Sequence, residues 1–104
     1  FALMHQRFRG KGLYILDEPE AALSPMRQLQ LLTRLHELVK MDSQFVIATH
    51  SPILLAYPHA RILSLDEHGF SETAYRETEH FRVTRRFFDN PEQTLARYLG
   101  EEAG

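Results

Sequence analysis

A chain of 104 residues is long enough for one compact domain, and its 43% apolar and 25% charged content is that of an ordinary globular protein. A net charge of -2 gives no global attraction to nucleic acid or anionic lipid, and the lack of cysteine excludes disulfides and thiolate metal sites. No apolar run nears the roughly 20 residues of a membrane span, and no signal-peptide pattern is present, so a cytoplasmic location is the expectation.

Phe1, Met4 and Phe8 recur at spacings of three and four, which predicts a helix. Arg7, Arg9 and Lys11 crowd its end, where cations suit the helix dipole, and Gly10 and Gly12 are stop signals. A domain that opens inside an element is expected to be part of a longer chain, with residues 1–104 forming a single domain of it.

Leu13-Tyr14-Ile15-Leu16 is a short apolar run of the kind that forms a buried strand. It ends in two carboxylates, Asp17 and Glu18, followed by Pro19. An unpaired buried charge is costly, so this pair must face water, a metal or a ligand. Ser24-Pro25 is a helix start, with Ser24 as N-cap and Pro25 at the first helical position. The helix is expected to run to about Met41 on a stripe of Leu29, Leu31, Leu32, Leu35, Leu38 and Val39. Asp42-Ser43 breaks it. Phe45-Val46-Ile47-Ala48 is a second apolar strand, ending in Thr49-His50-Ser51-Pro52.

Two strands joined by a helix of this length are parallel. Their C-terminal ends share one edge, which brings Asp17-Glu18 and Thr49-His50 together where open α/β sheets bind ligands. The remaining chain reads as a short helix at 53–56, a strand at 61–65, a turn at Asp66–Gly69, a returning strand at 70–75 and helices at 79–88 and from Pro91. Asn90 and Gln93 form a candidate capping box, Leu95, Tyr98 and Leu99 are expected on the buried side, and Gly100 is the stop.

An aspartate after an apolar strand, followed by a second acid, suits Mg²⁺ at a nucleotide phosphate, because Mg²⁺ takes oxygen ligands and keeps several waters. The second carboxylate can orient or deprotonate a water for attack on the γ-phosphate. His50 would hydrogen-bond that phosphate. The bland reading of Asp17-Glu18 is a polar exit from a strand.

In combination, LYILDEP, ALSP, a helix and FVIATHSP resemble the C-terminal half of ABC-type ATPases, with Walker B strand, D-loop and switch-histidine strand in order. The resemblance extends to soluble bacterial AAA-family predicted ATPases related to ABC and SMC-type nucleotide-binding domains. It implies a three-layer P-loop NTPase fold, with parallel strands, a crossover helix, a short hairpin and C-terminal helices. It implies Asp17 as a magnesium ligand through water, Glu18 as catalytic carboxylate and His50 as switch histidine. Ser24 would lie in the D-loop, in contact with nucleotide across a homodimer. ATP and Mg²⁺ would be the cofactors of the complete protein. The D-loop departs from the Ser-Ala-Leu-Asp of many transporters in lacking the final acid.

No G-x-x-x-x-G-K-[ST] loop occurs, and Gly10-Lys11 lies in the wrong context. The P-loop supplies the amides, lysine and hydroxyl that hold phosphates. The expectation is therefore that an N-terminal P-loop half is a required partner, and that this chain alone neither binds ATP tightly nor hydrolyses it. The alternative is a non-catalytic interaction or dimerisation module that keeps the fold. A different Mg²⁺ phosphotransfer enzyme fits less well, because it leaves His50 unexplained.

The six histidines show no tight metal pairing, and no serine sits in a nucleophile elbow. Arg82, Arg85, Arg86 and Arg97 form a basic cluster beside Phe87 and Phe88. Contact with nucleic acid is its sharp reading, and a solvated helix face is the reading the negative total charge favours.

Overall fold

The computed structural model describes residues 12–101; the helix expected at Phe1–Phe8 and the last three residues lie outside that range. The chain divides into two units, Phe1–Ala60 and Arg61–Gly104.

In the first unit, β1 (Leu13–Asp17) pairs in parallel with β2 (Gln44–Ala48), from Leu13 opposite Gln44 to Asp17 opposite Ala48. The connection is α1 (Pro25–Lys40). This is a mixed α/β arrangement with a parallel sheet. The start of α1 follows the sequence signal: the Ser24 hydroxyl accepts from the Arg27 N–H at 3.2 Å, and Pro25 occupies the first turn, where a missing N–H costs nothing. Its end is closed by Asp42, which takes a left-handed φ of 67°, so that the Asp42 and Ser43 N–H groups return to the Val39 and Leu38 carbonyls at 3.0 Å.

One face of α1 covers one face of the sheet. Leu16, Leu35 and Leu38 form the buried cluster, with Tyr14, Leu31, Leu32, Phe45 and Ile47 packed on it. Leu38 is 1% exposed, and full burial of such a side chain stabilises by about 1.5–3 kcal/mol. Leu54, in the 3₁₀ turn Leu54–Ala56, is also buried.

The continuous apolar runs predict buried strands, and the structure covers only alternate residues of them. Tyr14 and Leu16 turn toward the core, while Leu13, Ile15 and Val46 are exposed, Ile15 at 76%. The physical reason is the period of two along a strand: alternate residues face α1, and the others face away from it. The helix stripe is narrower than expected too, because Leu29 and Val39 lie at its exposed margins.

The second unit opens with an antiparallel hairpin, β3 (Ile62–Asp66) and β4 (Gly69–Thr73). Its turn is set by the Asp66 carboxylate, which accepts from the His68 N–H at 2.8 Å, and by Gly69 at φ 105°. A 3₁₀ turn, Tyr75–Glu77, leads to α2 (Glu79–Asp89) and α3 (Pro91–Leu99). Thr78 caps α2 by accepting from the Phe81 N–H at 3.1 Å. Asn90 caps α3 through the Gln93 N–H at 3.0 Å, and its amide donates to the Gln93 side chain at 3.3 Å. The cap half of the predicted box thus forms, and a side chain–side chain bond stands in place of the return bond from Gln93 to the Asn90 backbone N–H. Gly100 ends α3 at φ 71°.

One expectation fails here. Leu95, Tyr98 and Leu99 do not form a buried side of α3; all three are exposed, Tyr98 at 78%. Among the described residues of this unit no large apolar side chain is buried, so α3 has no core to turn toward.

Candidate functional site

The parallel register decides where the acidic pair lies. Asp17 is opposite Ala48, and the next N–H, that of Glu18, donates to the Ala48 carbonyl at 2.7 Å. The two strands therefore end together, with Asp17-Glu18 on one and Thr49-His50 on the other. Asp17 and Glu18 are exposed, as the cost of burying charge requires. Asp17 continues the alternation of Leu13 and Ile15 on the face away from α1. Glu18 departs from it: its φ is 47°, a conformation that costs a non-glycine residue roughly 1–2 kcal/mol. Turning the chain at Glu18 lets Pro19 be buried while both carboxylates stay outside.

The loop that follows is tied to the end of β2 by side chains. One oxygen of the Glu20 carboxylate accepts from the Thr49 hydroxyl at 2.7 Å, and the other accepts from the His50 N–H at 3.3 Å. The Thr49 oxygen accepts in turn from the Ser51 N–H at 3.0 Å. The Ser51 hydroxyl donates to the side-chain oxygen of Gln28 in the first turns of α1. The Gln28 amide donates to the Leu23 carbonyl at 3.2 Å, and the Leu23 N–H donates to the Glu20 carbonyl at 2.8 Å. This closes a circuit through the loop after β1, the start of α1 and the loop after β2. Ser51 is buried and fully used, because its oxygen also accepts from the Ile53 and Leu54 N–H groups at 3.1 Å.

Each site residue read from the sequence has a place in this geometry. Asp17, Glu18 and His50 come to one edge of the sheet. Ser24 sits at the N-terminus of α1, exposed, with its hydroxyl engaged as the cap. The sequence reading misses Glu20 and Gln28. Glu20 meets partners 29 and 30 residues away, and no local period carries that. Ser51-Pro52 after a strand is a turn signal of the kind in which a hydroxyl collects nearby N–H groups, and it is the one hint of the circuit the sequence offers.

The other candidates each have their own surroundings. Among the described residues no group of three histidine, aspartate or glutamate side chains is arranged to hold a metal. His36 bonds the Tyr57 hydroxyl at 2.8 Å and stacks on His59 with ring centres 5.8 Å apart, a surface cluster. In the second unit, Arg76, Arg82, Arg85 and Arg86 line a shallow open groove with Glu77, Phe81 and Asp89. The Arg76 and Arg85 guanidinium groups stand over the Phe81 ring at 5.2 and 5.9 Å.

A family model described as "AAA domain, putative AbiEii toxin, Type IV TA system" matches residues 1–56, more than half of the chain. The matched span holds β1, α1 and β2 with the acidic pair, His50 and the whole hydrogen-bond circuit. No curated protein and no solved structure gives a significant match.

Proposed function

The chain belongs to this AAA-domain family, and on that premise we propose that it supplies the water-activating and sensing half of an ATP hydrolysis site of the ABC/SMC type. The observation that carries the reading is the parallel register, which ends β1 and β2 together and sets Asp17-Glu18 beside Thr49-His50. The fold in which this would work is the three-layer P-loop NTPase, with the phosphate cradle contributed from outside these 104 residues.

In this reading Asp17 holds Mg²⁺ through water. A lone exposed carboxylate fits that ion, which keeps most of its waters and takes its remaining ligands from phosphate; bound there, it would neutralise charge on the phosphates. Glu18 orients the attacking water and takes its proton. Its backbone N–H is bonded to the Ala48 carbonyl, which ties its position in the chain to the end of β2. His50 donates to the γ-phosphate. Ser24, at the head of α1, lies in the segment that would meet nucleotide across a homodimer.

The test is steady-state ATP hydrolysis by the full-length protein with Mg²⁺ present. Glu18→Gln is expected to lower kcat by about 100-fold or more, the usual size of a lost general base, with ATP binding retained. Asp17→Asn is expected to weaken Mg²⁺ binding, so that half-maximal turnover needs a higher Mg²⁺ concentration. The isolated 104-residue chain should not turn over. Hydrolysis unchanged in Glu18→Gln would overturn the assignment. A protein that binds partners yet never binds ATP would favour the second reading, an interaction module on the same fold whose parent protein lacks a P-loop.

A further inference from the structure

The closed circuit gives Glu20 a task that the ATP-site reading leaves unassigned. We propose that Glu20 is a positioning residue for His50. Its carboxylate makes the loop after β1 and the loop after β2 move as one body.

Three consecutive positions at the end of β2 are held by two residues at the end of β1, Glu18 and Glu20. The Glu18 N–H takes the Ala48 carbonyl, and Glu20 takes the Thr49 hydroxyl and the His50 N–H. Pro19, between them, is buried and fixes its own φ. A shift of the segment 20–23 therefore pulls on the backbone of His50. The reverse path runs through Ser51, Gln28 and the Leu23 carbonyl to the residue before Ser24. The strand ends bearing Glu18 and His50 are thus held together, and the state of the loop around Ser24 is carried to the histidine.

The chemistry explains why an acid stands here. Two donors face Glu20 from different residues, and a carboxylate offers an oxygen to each. Glutamine is the nearest substitute. Its oxygen can keep the His50 N–H, and its amide can donate to the Thr49 oxygen once that hydroxyl rotates. Alanine removes both bonds. Thr49→Val removes the hydroxyl from the other side and leaves the His50 N–H bonded to Glu20.

The proposal rests on the ATPase reading only for its effect on turnover; the tether is read without nucleotide. In the full-length protein, amide hydrogen exchange is measured at His50 and Ser51 and, as a control, at Phe45–Ile47. Glu20→Ala is expected to speed exchange at His50 roughly tenfold or more, the scale of a lost bond to a charged group, with the strand amides unchanged. Glu20→Gln should restore most of the protection. Thr49→Val should give a smaller effect at His50 that adds little in the double variant, and it replaces the alanine test if that variant does not fold. In ATP turnover, Glu20→Ala should lower kcat by roughly tenfold, KM should move little, and Glu20→Gln should recover most of it. Unchanged exchange at His50 in Glu20→Ala overturns the proposal, as does equal acceleration along Phe45–Ile47, which marks a general structural role. If the unaltered protein does not hydrolyse ATP, the ATPase reading falls, and the exchange data alone decide the tether.

Discussion

The first unit buries Leu16, Leu35, Leu38 and Leu54, whereas among the described residues of the second unit only Thr78, a cap, is buried. The two are built from similar sequence: both contain apolar strands and amphipathic helices. They differ in connection. A helix that crosses between parallel strands must lie over the sheet it joins, so local pattern and long-range packing meet in one core. A tight hairpin followed by two short helices satisfies its hydrogen bonds locally and leaves many of its apolar side chains, Leu63, Leu65, Phe70 and Phe88 among them, exposed. The order of the second unit comes from its devices at chain ends: Asp66 and Gly69 in the turn, Thr78 and Asn90 as caps, Gly100 as stop. The family match stops at residue 56, inside the first unit.

The comparison breaks most readily at its strongest point. Leu38→Ala is expected to destabilise the first unit by about 2–5 kcal/mol, the transfer loss plus the cavity left behind. Phe88→Ala, at a ring 71% exposed, is expected to cost about 0.5 kcal/mol or less, as for most surface sites. Urea unfolding of the two variants measures the contrast. If Phe88→Ala costs as much as Leu38→Ala, the ring is covered in solution, and sedimentation at several concentrations would show whether a second copy covers it.

The same contrast governs what could be read from the sequence. Local signals are legible: Ser24-Pro25, Asn90-Pro91 and Gly100 mark their helix ends correctly, and β1 and α1 fall within a residue of their expected bounds. The shared edge of Asp17-Glu18 and Thr49-His50 is legible as well, because parallel pairing follows from the length of the crossover. Burial is not. Ile15 and Tyr98 are apolar at positions that a core would occupy, and apolar character cannot say whether anything packs there. Nor is the circuit legible, since Glu20 and Gln28 look like ordinary surface residues until the fold brings Thr49 and Ser51 to them.

A smaller effect tests whether the second unit is held by its caps. The Thr78 hydroxyl accepts from the Phe81 N–H and donates to the Tyr75 carbonyl at 2.7 Å, joining the 3₁₀ turn to α2. Thr78→Ala is expected to cost about 1–2 kcal/mol, at the upper end for an N-cap because the group is buried. The loss should appear as faster amide exchange in the first turn of α2, with β1 and α1 unaffected. Faster exchange in both units would mean that they unfold together, and the contrast would then be one of burial alone.

The smallest effect concerns strain. Among the described residues, the non-glycine positions with positive φ are Glu18, Ala22 and Asp42, all in the first unit. Such conformations persist where surrounding structure over-determines them, which a unit with a core can do and one without cannot. Asp42 has a local reason, as the residue that closes α1. Glu18 is pinned by its bond to Ala48. Ala22, at φ 69° and exposed, lies inside the circuit between Glu20 and Leu23. Ala22→Gly removes the Cβ penalty there and raises the entropy of the unfolded chain, so a net gain of about 0.5–1 kcal/mol is expected. Thermal unfolding of the variant measures it. A loss of stability would mean that the loop after β1 is not held in this turn in solution, and the tether from Glu20 to His50 would lose the rigid frame it needs.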